Sequence, residues 1–108
     1  MIKKDYCDTP NGQMHYYYGG PKEKPPIVFL HQNVSGAKGY LPTLQKLIRH
    51  HRCVAVDLPG FGGSFDPPEF DSISALTQYT FDFIDALGIE QFHVFGNHTG
   101  AGMAAEMA

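Results

Sequence analysis

The sequence predicts an α/β fold in which an antiparallel hairpin precedes a mostly parallel sheet. Short apolar runs alternate along the chain with stretches of helical periodicity, the order expected for parallel strands joined by helical crossovers. The runs at residues 27–30 and 53–56 are continuously apolar, as strands covered on both faces are. Near the start, Asn11-Gly12 separates two β-forming runs and predicts a tight hairpin.

The first half contains the hairpin and one strand–helix–strand unit. We predict hairpin strands at residues 2–7 and 13–18, the second of which carries the β-forming tyrosines 16 to 18. After an exposed connection, the strand at 27–30 leads to a helix from about residue 39 to 50. One face of this helix is apolar: Leu41, Leu44, Leu47 and Ile48. The strand at 53–56 follows, so two parallel strands and one helix form a right-handed βαβ unit.

A second helix and a third strand of this kind fill the second half. The helix begins after Asp71 or Ser72, either of which can cap it, and runs to Leu87. Its predicted buried face consists of Ile73, Leu76, Tyr79 or Thr80, Phe83, Ile84 and Leu87. The last strand covers about residues 91–95. His93 alternates there with two apolar neighbours, so we expect it to be a hydrogen-bonded core residue.

The last strand meets the next helix at Gly96-Asn97-His98-Thr99-Gly100, where glycines lie two residues before and two after His98. This spacing suits a central residue forced to positive φ, since a Cβ at either glycine would crowd the turn. Histidine is among the non-glycine residues that are enriched at positive φ. A register centred on Thr99 needs a small residue at Asn97, so we favour His98. An ordinary strand-to-helix turn is the alternative for the pentapeptide taken alone.

The composition indicates one soluble domain. A net charge of −3 over 108 residues gives no reason to expect a nucleic acid or an anionic membrane as partner. Cys7 and Cys53 are distant in sequence and no secretory signal precedes them, so we expect reduced thiols and a cytoplasmic location. Apolar runs stay well short of the ~18 residues of a membrane span. The neighbours His50 and His51 are poor co-ligands, and we expect no metal site.

Several separated motifs occur together in a recognisable order: the Asn11-Gly12 hairpin, a strand ending in His31, the segment Asp57-x-Pro-Gly-x-Gly-x-Ser64, and the turn at 96–100. In order and approximate spacing they resemble the N-terminal half of the α/β-hydrolase superfamily. The resemblance implies an incomplete α/β-hydrolase core. Residues 1–108 would be the N-terminal portion of a single domain, truncated after the nucleophile elbow.

Two departures from the family pattern narrow the resemblance. His31-Gln32-Asn33 stands where most members have His-Gly, and His98 stands where the nucleophile is usually Ser, Asp or Cys. The combination is similar to a small subgroup of hydrolase-like proteins with His-Gln-Asn and Gly-x-His-Thr-Gly motifs.

By position, the resemblance implies an oxyanion hole built from the amide of Thr99 and that of Gln32 or Asn33. Asn33 can also donate from its side chain, or it can be a turn residue bonded within its own loop. His31 is expected to order this loop, with Gly96 and Gly100 as structural support of the turn. We expect Asp57 to fix the turn after its strand, and no base is placed to activate Ser64.

His98 has three open roles: nitrogen nucleophile, general base for a water, or an inert residue. The helix N-terminus favours its neutral form. We therefore predict a hydrolase that cleaves an ester, amide, C–C or similar bond of a small organic substrate without a cofactor. The alternative is a non-catalytic ligand-binding or interaction module. A dinucleotide-binding protein is disfavoured, because no Gly-x-Gly-x-x-Gly follows the first parallel strand.

The family places its catalytic acid and its general-base histidine on later strands. We therefore expect the 108-residue chain alone to be inactive. The strand at 92–95 would lie at an open sheet edge, so we also expect the chain alone to be unstable or to self-associate through that edge.

Overall fold

The structure, a computed structural model, describes residues 1–32, 36–68 and 72–108. The described strands are β1 Lys3–Thr9, β2 Gly12–Gly19, β3 Ile27–Leu30, β4 Cys53–Val56 and β5 His93–Gly96. The α-helices are α1 Leu41–Leu47, which a 3-10 turn at Ala37–Tyr40 precedes, α2 Ile73–Ala86 and α3 Thr99–Met107. The predicted α/β class with an N-terminal antiparallel hairpin is confirmed.

All five strands form one mixed sheet in the order β1-β2-β4-β3-β5. The hairpin of β1 and β2 is antiparallel and joins the sheet through the antiparallel pairing of β2 with β4. β3 pairs in parallel with β4 on one side and with β5 on the other. In this register Leu30 lies opposite both Val56 and Gly96. The carboxyl ends of the three parallel strands therefore meet at one end of the sheet, where α/β proteins bind ligands.

Two apolar clusters cover the two faces of the sheet. On one face, alternate residues of β3 and β4 pack with Phe83 and Ile84 of α2 and Met103 of α3. On the other face, Phe29 and Ala55 pack with Leu44 of α1. β3 and β4 are thus buried from both sides, which explains their continuous apolar runs. None of the helices in the described ranges is long and apolar enough to cross a membrane.

The predicted end of α1 differs from the structure, whereas the predicted start of α2 is confirmed. The helix predicted to reach residue 50 ends at Leu47, and residues 48–50 form a turn in which the backbone N–H groups of His50 and His51 donate to the Leu47 carbonyl, at 3.1 and 2.9 Å. The predicted cap of α2 is confirmed for Ser72, whose Oγ accepts from the Ala75 N–H at 3.2 Å. Asp71, the other candidate cap, lies outside the described residues.

The expected burial of Ile73 is wrong, since the residue is 43% exposed. It is the first residue of α2 and lies beside α3, where a Cβ added at Gly102 would stand 3.0 Å from its Cδ1.

The expectation that His93 is a core residue is also wrong, because His93 is exposed. β5 is an edge strand whose one partner among the described strands is β3. Phe92 and Val94 pack into the cluster beneath α2 and α3. His93 and Phe95 alternate with them and point to the opposite face, where α1 packs over β3 and β4, and Phe95 is 52% exposed. The alternation of His93 with its apolar neighbours agrees with the prediction. The prediction fails because helices cover only one face of β5 among the described residues.

Candidate active site

The turn between β5 and α3 holds His98 in an unusual backbone conformation. Its φ is 55° and its ψ is −114°, and among the described residues it is the one non-glycine residue with positive φ. A side chain in such a region costs about 1–3 kcal/mol. His98 is exposed and caps the N-terminus of α3 without a side-chain hydrogen bond. The turn therefore presents an imidazole at the carboxyl end of the sheet at a cost in stability.

Gly96 and Gly100 are sterically required in this turn. A Cβ at Gly96 would overlap the Gly100 carbonyl oxygen, and a Cβ at Gly100 would overlap the Leu30 carbonyl oxygen at the end of β3. The Asn97 N–H donates to the same Leu30 oxygen at 3.4 Å, and the Gly100 N–H donates to the Asn97 carbonyl at 3.0 Å. The turn is thus packed against β3 with no space for larger residues at either glycine.

His31, directly after β3, is 2% exposed and uses both ring nitrogens. Its Nε2 accepts from the Leu58 N–H at 2.9 Å, so Nδ1 carries the proton and donates to the Gln32 carbonyl at 2.8 Å. Burial lowers the pKa of His31, although the hydrogen bond to Gln32 and the charge of Asp57 oppose this shift. The ring is therefore neutral and holds the start of the loop, with no free nitrogen for a substrate.

Two of the three residues whose backbone N–H groups are predicted to form the oxyanion hole, Gln32 and Thr99, lie within the described residues. The backbone N–H groups of Gln32 and Thr99 donate to no acceptor within residues 1–32, 36–68 and 72–108. Thr99 is the first residue of α3, where backbone N–H groups lack a partner in the helix. Asn33 lies outside the described residues.

A cavity of about 170 Å³ lies beside the turn. Its lining residues are His31, Gln32, Gly36, Gly39, Tyr40 and Asn97. The structure therefore brings the predicted loop residues and the turn to one concave surface, although His98 and Thr99 are not in its lining.

Asp57 is a buried acceptor at the end of β4, with 4% exposure. Its Oδ1 accepts from the Ala37 N–H at 2.8 Å, and its Oδ2 accepts from the Gly63 N–H at 3.2 Å and pairs with His15 Nδ1 at 2.8 Å. Ser64 Oγ donates to the Asp57 carbonyl at 2.5 Å and accepts from the His15 N–H at 2.9 Å. Asp57 thus connects the loops after β3 and β4 to β2. The Ser64 hydroxyl both donates and accepts a hydrogen bond within this structure.

Sequence reasoning missed His15 and Tyr40. His15 is the partner of Asp57, but 42 positions separate the two and no spacing rule links them. Tyr40 donates its hydroxyl to the Leu30 carbonyl at 2.9 Å, and burial raises the pKa of its phenol. It lies in a short 3-10 turn, where no periodic pattern indicates which side chain faces the site.

No described side chain is hydrogen-bonded to the His98 ring. Within the described ranges, no group of three or more His, Cys, Asp or Glu side chains is placed to hold a metal ion.

Comparison with known proteins gives one consistent family. The sequence profile described as the alpha/beta hydrolase fold matches residues 25–108. The chain is 29% identical over 99 residues to an uncharacterized carboxylesterase of Bacillus subtilis (strain 168), covering 91% of this chain and 33% of that protein. It is 30% identical over 104 residues to haloalkane dehalogenase 2 of Mycobacterium tuberculosis (strain H37Rv), covering 95% of this chain and 36% of that protein.

Solved structures agree with the sequence comparison. A bacterial membrane phospholipase A superposes with a TM-score of 0.93 at 25% identity, over 97% of this chain and 34% of that one. A haloalkane dehalogenase of Bradyrhizobium elkani superposes with a TM-score of 0.94 over 100% of this chain and 37% of that one, and its 24% identity bears on the fold alone. The chain spans about one third of the length of these relatives.

Proposed function

Since the chain belongs to the α/β-hydrolase fold family, we propose that the protein is a hydrolase of a small organic substrate in which His98 acts from the nucleophile position. The observation that carries this proposal is the strained backbone of an exposed His98 between two sterically required glycines. Strain of this kind persists where the surrounding structure enforces it, and it clusters at active sites. An ordinary strand-to-helix turn needs no such strain.

The imidazole offers two routes to hydrolysis of an acyl substrate. As a nucleophile, the unprotonated ring nitrogen attacks the carbonyl carbon, and the bond to the leaving oxygen breaks as the alkoxide takes the proton of the other ring nitrogen. Water then hydrolyses the acyl-imidazole to the acid and free imidazole. As a general base, the ring removes a proton from a water molecule, whose oxygen attacks the same carbon. The bond from that carbon to the leaving oxygen then breaks, and the imidazolium returns the proton to the departing alcohol. Both routes use the unprotonated nitrogen of a neutral ring.

The negative charge that develops on the carbonyl oxygen needs hydrogen-bond donors already in place. We assign this role to the backbone N–H groups of Thr99 and Gln32, because each lacks an acceptor within the described residues. Both lie at the carboxyl end of the sheet, where β3 and β5 end side by side. Asn33 is the second candidate from the loop, by its sequence position.

The share of the relatives that this chain matches supports a further proposal. We propose that residues 1–108 are the N-terminal portion of one domain whose other strands carry an acid and a second histidine, since the chain covers about one third of each relative. We propose that the complete enzyme acts in the cytoplasm without a cofactor.

A non-catalytic ligand-binding or interaction module is the second candidate. It is favoured by the lack of any hydrogen bond between the His98 ring and another described side chain, since a catalytic base is usually oriented by a third group. In that case the turn at residues 96–100 has a structural role only. The two functions differ in whether His98 affects turnover.

The test uses the full-length protein and a panel of p-nitrophenyl esters, anilides and haloalkanes. His98→Ala should lower kcat/KM on the accepted substrate by about 100-fold or more, the range of a positioned acid or base. His50→Ala replaces another exposed histidine and should leave turnover unchanged. Rapid quenching followed by mass spectrometry separates the routes, because only the nucleophile accumulates an acyl group on His98. Equal turnover by wild type and His98→Ala would refute the proposal.

A further inference from the structure

A second cavity, of about 540 Å³, lies at the end of the sheet opposite the His98 turn. It is bordered by Cys53 at the amino end of β4 and by Gly19, which pairs with Cys53 at the end of β2. Leu87, at the C-terminus of α2, lines another side. Its volume is within the roughly 300–1,000 Å³ of small-molecule sites. No residue of the candidate active site lines it.

Three cationic side chains line this cavity: Lys3, Lys22 and Arg52. The lining contains no Asp or Glu, although the chain has 11 acidic and 8 basic residues. Among the described residues, none of the three cations forms an ion pair. Three of the eight Lys and Arg residues of an acidic chain thus line one concave surface.

Arg52 is held in place at the rim of the cavity. Its Nη1 donates to the Lys22 carbonyl at 3.3 Å and to the Lys24 carbonyl at 3.5 Å. The other guanidinium N–H groups donate to no acceptor in the described part of the chain. A guanidinium fixed on one side and free on the other is suited to bind an anionic oxygen.

The rest of the lining is largely apolar and aromatic. Ile48, Val54 and Leu87 contribute aliphatic surface, and the rings of Tyr16 and Tyr18 lie 5.4 Å apart. Neither phenol hydroxyl is hydrogen-bonded to a described residue. Burial raises the pKa of Tyr16, as do the charges of nearby acidic groups led by Asp5, so its hydroxyl remains a donor.

We propose that this cavity is a binding site for a small organic anion with an apolar body, with the anionic group at Lys3, Lys22 and Arg52 and the body against the tyrosines and aliphatic side chains. An inorganic anion would leave the apolar wall unused, and a neutral apolar molecule would leave three cations unpaired. The inference is independent of the function proposed for His98, because the two sites lie at opposite ends of the sheet.

The test is calorimetric titration of the full-length protein with octanoate, and with 1-octanol and acetate as ligands that carry only the body or only the charge. Octanoate should bind, with an affinity that falls as salt is raised, and the two partial ligands should bind at least tenfold more weakly. The double variant Lys3→Gln with Lys22→Gln should weaken octanoate binding by about tenfold. Lys46→Gln, an exposed lysine outside the cavity, should leave it unchanged.

His98→Ala separates this site from the candidate active site, and it should bind octanoate as the wild type does. Octanol binding as tightly as octanoate would overturn the proposal. So would loss of binding in His98→Ala, or full affinity in the double lysine variant.

Discussion

Alanine at Gly100 should destabilise the protein, whereas alanine at Gly102, in the same helix, should not. A Cβ at Gly100 would stand 2.7 Å from the Leu30 carbonyl carbon and 3.0 Å from the Leu30 Cβ, and it would overlap the carbonyl oxygen between them. Relief of this overlap requires α3 to move away from β3, and overpacking of this kind costs about 1–3 kcal/mol. The same Leu30 oxygen accepts from the Tyr40 hydroxyl and the Asn97 N–H, bonds worth about 1 kcal/mol each.

Alanine regains about 1 kcal/mol of helix propensity over glycine, so with both hydrogen bonds lost the net loss for Gly100→Ala is about 2–4 kcal/mol. At Gly102 the added Cβ meets only Ile73 Cδ1, at 3.0 Å, the end of a flexible side chain. There the propensity term prevails, and stability should stay constant or rise by up to about 1 kcal/mol. Urea unfolding of the two full-length variants measures both changes in the free energy of unfolding. The m-values should be the same as in the wild type. Equal stability of Gly100→Ala and wild type would refute the close packing of the turn on β3.

Three further predictions concern other parts of the fold. Asp57→Asn should cost about 3 kcal/mol in urea unfolding, because the buried donors of His15 and Ala37 and the Gly63 N–H lose a carboxylate. Exposed Asp85→Asn should change stability by less than about 0.5 kcal/mol. Because burial holds the folded-state pKa of His31 below its ordinary value of about 6.5, the unfolded state binds more protons and stability falls as the pH drops below about 6.5. His31→Gln should flatten this slope, and an unchanged slope would exclude His31 as its source. By sedimentation, the 108-residue chain should self-associate and Phe95→Lys on β5 should reduce this, whereas Tyr6→Lys on the opposite edge strand should not.

The elements that sequence predicts well are those determined by neighbouring residues. Asn11-Gly12 fixed the hairpin turn, continuous apolar runs identified β3 and β4, and Ser72 marked the start of α2. Each depends on backbone propensity or on burial of a single segment. The glycine spacing around His98 likewise predicts its positive φ, because the crowding at Gly96 comes from the Gly100 carbonyl of the same turn. The crowding at Gly100 comes instead from Leu30 of β3, which the spacing alone does not indicate.

What sequence alone does not give are contacts that the topology creates. The pairing of His15 with Asp57 requires β2 to lie beside β4, and the hydroxyl of Tyr40 reaches the end of β3 from a separate turn. The exposure of His93 follows from which face of β5 is covered, a property of the neighbouring helices and not of the strand. The cationic cavity likewise combines residues from the hairpin, the following loop and the start of β4.

His98→Asn in the full-length protein tests most directly whether the strained turn serves chemistry at the imidazole of His98. Asparagine tolerates positive φ, so the unfolding free energy should stay within about 0.5 kcal/mol of the wild-type value. Asparagine supplies neither a nucleophilic nitrogen nor a base, so kcat/KM should fall by about 100-fold or more. Unchanged kcat/KM in a stably folded His98→Asn variant would contradict the account.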